Sequence, residues 1–223
     1  MTTELTADDR IREADHRIKN HLQMVASMLA LQSRQSTNAE LREELDHAVH
    51  RVMAVALLHA QLQRDRDGEI DIAAYLEEVC RDLALSSDCE ARQIQISLAV
   101  ESAELPGDQA ITLGLITSEL VTNAIKHANG GHPGVVAIRF EDHAGDWRLT
   151  VADRGSGLAA LPPEGRGFGL RLIGRLAQKL GGAFTVVSDG FGAQFRVEFP
   201  SVPASASEMA MGAIAGETVL HLA

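Results

Sequence analysis

Residues 13 to 34 read Glu13-Ala-Asp-His16-Arg-Ile-Lys-Asn-His-Leu-Gln23-Met-Val-Ala-Ser-Met-Leu-Ala-Leu-Gln-Ser-Arg34. They lie inside a run, residues 6 to 35, that holds neither Gly nor Pro. Ile11, Ile18, Leu22, Val25 and Leu29 fall on a 7-4-3-4 spacing, which predicts a helix with a coiled-coil-like seam. Asp15 takes the seam position between Ile11 and Ile18, so His16 sits one residue off the seam, where its ring reaches solvent. A second apolar line, Met24, Met28 and Leu31, runs beside the first and predicts two buried neighbours for this helix.

The break comes at Ser36-Thr-Asn-Ala-Glu40, where Thr37 and Glu40 match a Thr-x-x-Glu capping box. So short a turn makes the next helix antiparallel. That helix carries Leu41, Leu45, Ala48, Val52, Val55, His59 and Leu62 in 4-3 alternation and ends in Arg64-Asp-Arg-Asp-Gly68. Because a two-helix hairpin cannot bury two apolar stripes alone, a homodimeric four-helix bundle is expected.

The pattern changes at Asp71. Ile72, Leu76, Val79 and Leu83 predict a helix flanked by Tyr75, and residues 93–100 alternate as a half-buried strand does. A long helix is expected over 108–128, strands over 134–140 and 147–152, a helix over 169–180, and closing strands over 183–187 and 193–199. This order reads as α+β, a mixed sheet with helices on one face. The expected domains are a helical hairpin over 1–68, an α/β sandwich over 69–200 and a flexible tail over 201–223, whose apolar part, Met209 to Leu222, could dock as a short helix.

The 223 residues are 45% hydrophobic, enough for a packed core, and carry a net charge of -11 that disfavours nucleic acid and anionic lipid. The acidic start and the lack of a long apolar run predict a cytoplasmic protein without membrane insertion. Cys80 and Cys89 are too few for a disulfide framework.

Three clusters carry chemistry. Glu119, Asn123, Lys126 and His127 recur at i, i+4, i+7 and i+8, on one face of the long helix. An amide such as Asn123 can ligate Mg2+ through its oxygen, and Lys126 and His127 can meet phosphate oxygens; alone, the pattern also fits an exposed polar face. Asp153-Arg-Gly155-Ser-Gly157 follows a strand, where the carboxylate can accept from an exocyclic amine and the glycines let the backbone approach a flat ligand. An ordinary turn would look the same. Gly165-Arg-Gly167-Phe-Gly169-Leu170 runs into a helix, whose free amides bind anions. It is neither a Walker sequence nor a dinucleotide fingerprint.

In this order and at these separations, the three clusters resemble the N, G1 and G2 boxes of the GHKL ATPase superfamily. The resemblance implies that Asn123 holds Mg2+, that Asp153 reads adenine with Gly155 and Gly157 beside it, and that Gly167, Gly169 and Leu170 border a lid over the phosphates of ATP. Residues 158–164 leave room only for a small lid. Upstream, His16-Arg-Ile-Lys-Asn-His-Leu-Gln23 resembles the acceptor box of bacterial sensor histidine kinases of the His-Arg-x-Lys-Asn type, related to the HWE group. The resemblance spans roughly residues 10 to 200. It implies an ATP-dependent kinase in which His16 accepts the phosphoryl group and passes it to the aspartate of a response-regulator receiver domain. Asp15 and Glu119 accompany His16 as candidate catalytic residues. Asp15 stands where that type has a second His, and Arg17 where the commonest kinases have an acid.

Few residues precede His16, so any input is expected from a separate sensor protein. His21, five residues beyond His16, points elsewhere, and His59 on the seam reads as a packed structural histidine; His47, His50, His132 and His143 form no ligand-like grouping, and no transition-metal site is expected. Two rivals are a histidine phosphotransferase whose ATP domain is degenerate and a serine kinase that sequesters a sigma factor. The retained Asn123, Asp153 and glycines oppose the first, and the acceptor hairpin opposes the second.

Overall fold

The computed structural model describes residues 7–62, 69–127, 134–154, 168–188, 192–201 and 220–222. Helix α1 spans Ala7–Gln35 and α2 spans Ala39–Leu62, antiparallel as the short turn requires. The cap of α2 differs from the expected box. The Asn38 side-chain oxygen accepts from the amides of Glu40 at 2.9 Å and Leu41 at 3.2 Å, so Asn38 and not Thr37 is the N-cap. Asn38 in turn donates its own amide to the Ser36 hydroxyl at 3.2 Å, which leaves Thr37 exposed.

The hairpin's internal face also differs from the expected seam. Ala26 and Ser33 are buried and Leu22 and Leu29 half-buried, an i, i+4, i+7, i+11 row. Small residues in that row let α2 approach closely, and the Ser33 hydroxyl donates to the Asp46 carboxylate at 2.6 Å. Ile18 and Val25, expected on the seam, are exposed together with Met24, Met28 and Leu31. On α2 the buried positions are His47, Ala54, Ala56, Leu58, Ala60 and Gln61, whereas Leu41 is exposed and His59 half-buried.

The chain packs as two compact units, Met1–Val79 with Ala103–Leu115, and Cys80–Ser102 with Ile116–Ala223. Besides the hairpin, the first unit holds the two-stranded antiparallel sheet of β1 (Glu69–Asp71) and β2 (Glu104–Pro106) and the first halves of α3 (Ile72–Ser86) and α4 (Gly107–His127). Both strands are three residues long, too short for alternation to reveal them in the sequence. Asp71 starts α3 by accepting from the Ala74 amide at 3.2 Å.

The second unit is a six-stranded mixed sheet. In sheet order its strands are β3 (Ile94–Val100), β4 (Gly134–His143), β5 (Asp146–Asp153), β7 (Ala193–Pro200), β6 (Ala183–Ser188) and β8 (Leu220–Leu222). The first pair is parallel and needs a crossover, which α4 supplies. Registers align Leu98, Ile138, Val151, Phe195 and Val186 in one row and Val100, Phe140, Leu149, Val197 and Phe184 in the next, all facing the core. The rings of Phe140 and Trp147 stack at 5.0 Å. Ile116, Leu120 and Ile125 of α4 and Ile173 and Ala177 of α5 (Phe168–Lys179) are buried, the helical half of this core. The neighbouring row on the opposite face, Ala99, Arg139, Thr150, Arg196 and Thr185, is polar or small, as alternation demands. Where the sequence suggested a tail or a short helix, residues 220–222 form β8, parallel to β6; residues 202–219 lie outside the described ones.

Candidate functional site

Glu119 and Asn123 are one turn apart on the second half of α4, a stretch dense in buried polar groups: Thr117, Ser118, Glu119 and Thr122. A core helix with no ligand to serve would carry apolar residues at such positions, since each buried polar group must find a partner. Glu119 is only 1% exposed, and Asn123 and Lys126 are half-buried.

Gly169 lies in the first turn of α5. A Cβ built there would come within 2.9 Å of Glu119 Oε2 and 3.6 Å of Asn123 Nδ2. The glycine therefore lets the start of α5 close onto the polar face of α4. That start carries no acidic side chain in its first turn, so the positive end of the helix dipole lies toward the Glu119 carboxylate. Leu170 follows, half-buried.

Asp153 ends β5 with the same parity as buried Val151, on the core-facing side of the sheet. A glycine that the sequence reading did not single out sets its position. A Cβ on Gly192 would overlap the Asp153 carbonyl oxygen and lie 3.1 Å from its carbon and 3.2 Å from Arg154 Cα. Asp153 and Gly192 border a cavity of about 380 Å³ that Ala152, Arg154, Val187, Ala193 and Gln194 complete. Arg92 was missed as well. Its guanidinium donates to the Ile125 carbonyl at 2.9 Å, near the negative end of α4 and one residue from Lys126. The only sequence signal was a cation before a strand, which says nothing about a distant helix end.

Of the residues expected at the site, the structure thus brings Glu119, Asn123 and Gly169 together and puts Asp153 at a strand end. Gly155, Gly157 and Gly167 lie outside the described residues, as do the side chains of Asp15, His16 and His127. Residue 16 itself is within α1, heading a helical row continued by Asn20, Gln23 and Ser27, all exposed. The two cysteines stay out of this chemistry: burial pushes the Cys80 thiol up to about 12, and burial also raises Cys89, with Arg92 pulling the other way.

Comparison with known proteins agrees with this geometry. Residues 13–87 match the family described as histidine kinase, and residues 108–203 match the family described as histidine kinase-, DNA gyrase B-, and HSP90-like ATPase. A sensor histidine kinase of Mycobacterium tuberculosis, PdtaS, is 37% identical over 158 residues, 69% of this chain and 31% of that protein. Blue-light-activated histidine kinase 2 of Erythrobacter litoralis is 31% identical over 203 residues, 86% of this chain and 57% of that one. The chain therefore spans less than two thirds of either relative. Among solved structures, the histidine kinase domain of a blue-light activated kinase from Erythrobacter litoralis superposes with a TM-score of 0.64 at 29% identity, covering 89% of this chain and 96% of that one. With both family matches in this order along most of its length, the chain belongs to the histidine kinase family, joining a helical hairpin of the HWE-related type to a GHKL ATPase domain.

Proposed function

We propose that the protein binds ATP with Mg2+, phosphorylates itself on His16, and hands the phosphoryl group to an aspartate of a response-regulator receiver domain. The observation that carries this reading is the seating of Gly169 against Glu119 and Asn123, which joins the glycine-rich segment to the polar face of α4. A domain that had lost its nucleotide would have no reason to keep that face buried and polar.

Asn123 would offer its amide oxygen to Mg2+, Asp153 would accept from the adenine amine, and the start of α5 with Lys126 would meet phosphate oxygens. The ion, when bound, supplies charge neutralisation on the transferring phosphoryl. A neutral imidazole has one ring nitrogen free to attack. When that nitrogen of His16 bonds to the γ-phosphorus, the bond to the β,γ-bridging oxygen breaks and ADP leaves with its electron pair. The ring's other nitrogen then gives up its proton to a carboxylate, for which Asp15 and Glu119 are the candidates. In the second transfer an aspartate oxygen attacks the phosphorus and the phosphorus–nitrogen bond breaks, which restores His16.

In this reading residues 1–68 serve phosphotransfer and dimerisation and residues 69–200 serve ATP binding, in a cytoplasmic homodimer. No helix among the described residues is long and apolar enough to cross a membrane. The exposed row of Ile18, Met24, Val25, Met28 and Leu31 supports a second copy as the hairpin's partner. The decisive test is incubation with γ-labelled ATP and Mg2+, comparing wild type with His16→Ala and Asn123→Ala for acid-labile label. Label is expected on wild type alone. An unlabelled wild type that accepts phosphoryl from a phosphorylated regulator would favour the phosphotransferase, and label persisting in His16→Ala would place the acceptor elsewhere.

A further inference from the structure

Residues 87–93 join α3 to β3 and are closed twice by the same device. The Cys89 amide donates to the Ala84 carbonyl at 3.0 Å and the Asp88 amide to that of Leu85 at 3.4 Å, with Asp88 at φ 50°. The Ile94 amide then donates to the Cys89 carbonyl at 2.8 Å and the Gln93 amide to that of Glu90 at 3.0 Å, with Gln93 at φ 53°. Each set is the pairing that ends a helix around a left-handed residue. Glycine is the default there, and another residue is held in that conformation by the structure around it. With Cys89 buried between the two closures, the backbone at Arg92 is braced on both sides.

From that base two distant points are held. The Arg92 guanidinium donates to the Ile125 carbonyl at 2.9 Å, and the Gln93 carbonyl accepts from the Gly134 amide at 3.1 Å. Ile125 belongs to the last turn of α4, and Gly134 opens β4. The last carbonyls of a helix have no partner within it. Ile125 is only 1% exposed, so its carbonyl depends on the guanidinium where a surface helix would use water. Lys126 stands in the same turn and Asn123 just before it, both half-buried. All these residues lie within the second compact unit. We infer that Arg92 is a positioning residue of the nucleotide site: by bonding the Ile125 carbonyl from a braced turn, it sets the last turn of α4 and with it the placement of Asn123 and Lys126. This rests on the ATP-binding reading for its effect on nucleotide, though not for its effect on α4.

The test uses the full chain and two variants. Arg92→Met keeps the length of the stem and removes the donors, whereas Arg92→Lys keeps a cation on a shorter reach. Two quantities are measured: the affinity for Mg·ADP by calorimetry and amide hydrogen exchange over residues 123–127. Arg92→Met should exchange roughly ten-fold faster over 123–127 and bind Mg·ADP roughly five-fold more weakly, because a buried carbonyl loses a charge-assisted partner. Arg92→Lys should recover part of both effects together. Weakened binding with unchanged exchange would mean that Arg92 acts through its charge alone, and faster exchange with unchanged affinity that it merely supports the fold; either result overturns the proposal. If Arg92→Met does not fold, Arg92→Lys decides by the same pair of readings. A wild type that binds no Mg·ADP removes the nucleotide reading itself, and the exchange data still decide whether Arg92 governs the last turn of α4.

Discussion

At the scale of single residues, the candidate site is shaped by glycines whose missing side chains make room for someone else's atoms. Gly169 yields space to Glu119 and Asn123, and Gly192 to the main chain of Asp153. The two differ in tolerance. A methyl at 169 meets the far end of a side chain, whereas a methyl at 192 meets backbone that cannot swing away. Gly192→Ala is therefore expected to lower stability by about 2 kcal/mol, in the range of overpacking, and to weaken Mg·ADP binding roughly ten-fold, the factor equivalent to about 1.4 kcal/mol. Urea unfolding and calorimetric titration check the two effects, and unchanged affinity would separate Gly192 from the placement of Asp153. Asp153 was legible because it stands after an alternating strand and before spaced glycines. Gly192 was not, since a glycine before a strand looks like any turn until the chain that crosses it is known.

Secondary-structure elements show the same division. Helix α1 follows from a run free of Gly and Pro, α4 and α5 from apolar periodicity that outweighs their internal glycines, and the longer strands from alternation. The start of α2 shows how a correct element can hide a wrong cap. Thr37 and Glu40 have the spacing of a capping box, yet Asn38 makes both bonds to the first turn. An amide oxygen one residue closer to the helix outcompetes the threonine hydroxyl for the same donors. Asn38→Ala should thus cost about 1 kcal/mol, while Thr37→Ala should cost almost nothing. Comparing their denaturation midpoints distinguishes the caps; a larger loss in Thr37→Ala would restore the box.

At the scale of the whole molecule, the net charge of -11 coexists with an apolar row on α1 made of Ile18, Met24, Val25, Met28 and Leu31. The row lies apart from Leu22, Ala26, Leu29 and Ser33, which serve the hairpin's own contact. An exposed row of that length is expected to be covered by a second copy. The double variant Met28→Glu/Leu31→Glu should shift the protein from dimer to monomer in analytical ultracentrifugation while leaving its helical circular dichroism intact. A wild type that sediments as a monomer would remove the dimeric bundle from the proposed mechanism.

Order along the chain was enough to read the α+β class and three chemical clusters, because helix period, strand alternation and glycine spacing are local and are written residue by residue. The acceptor box was read in the same way. Which face of α1 meets α2 depended on tertiary contact, since two apolar rows of similar strength compete and small residues at Ala26 and Ser33 decide the closer approach. The same holds for Tyr75 between Ala54 and Gly114, for Arg92 at the end of α4 and for Gly192 under Asp153. Each joins residues far apart in sequence, and no local periodicity carries that information.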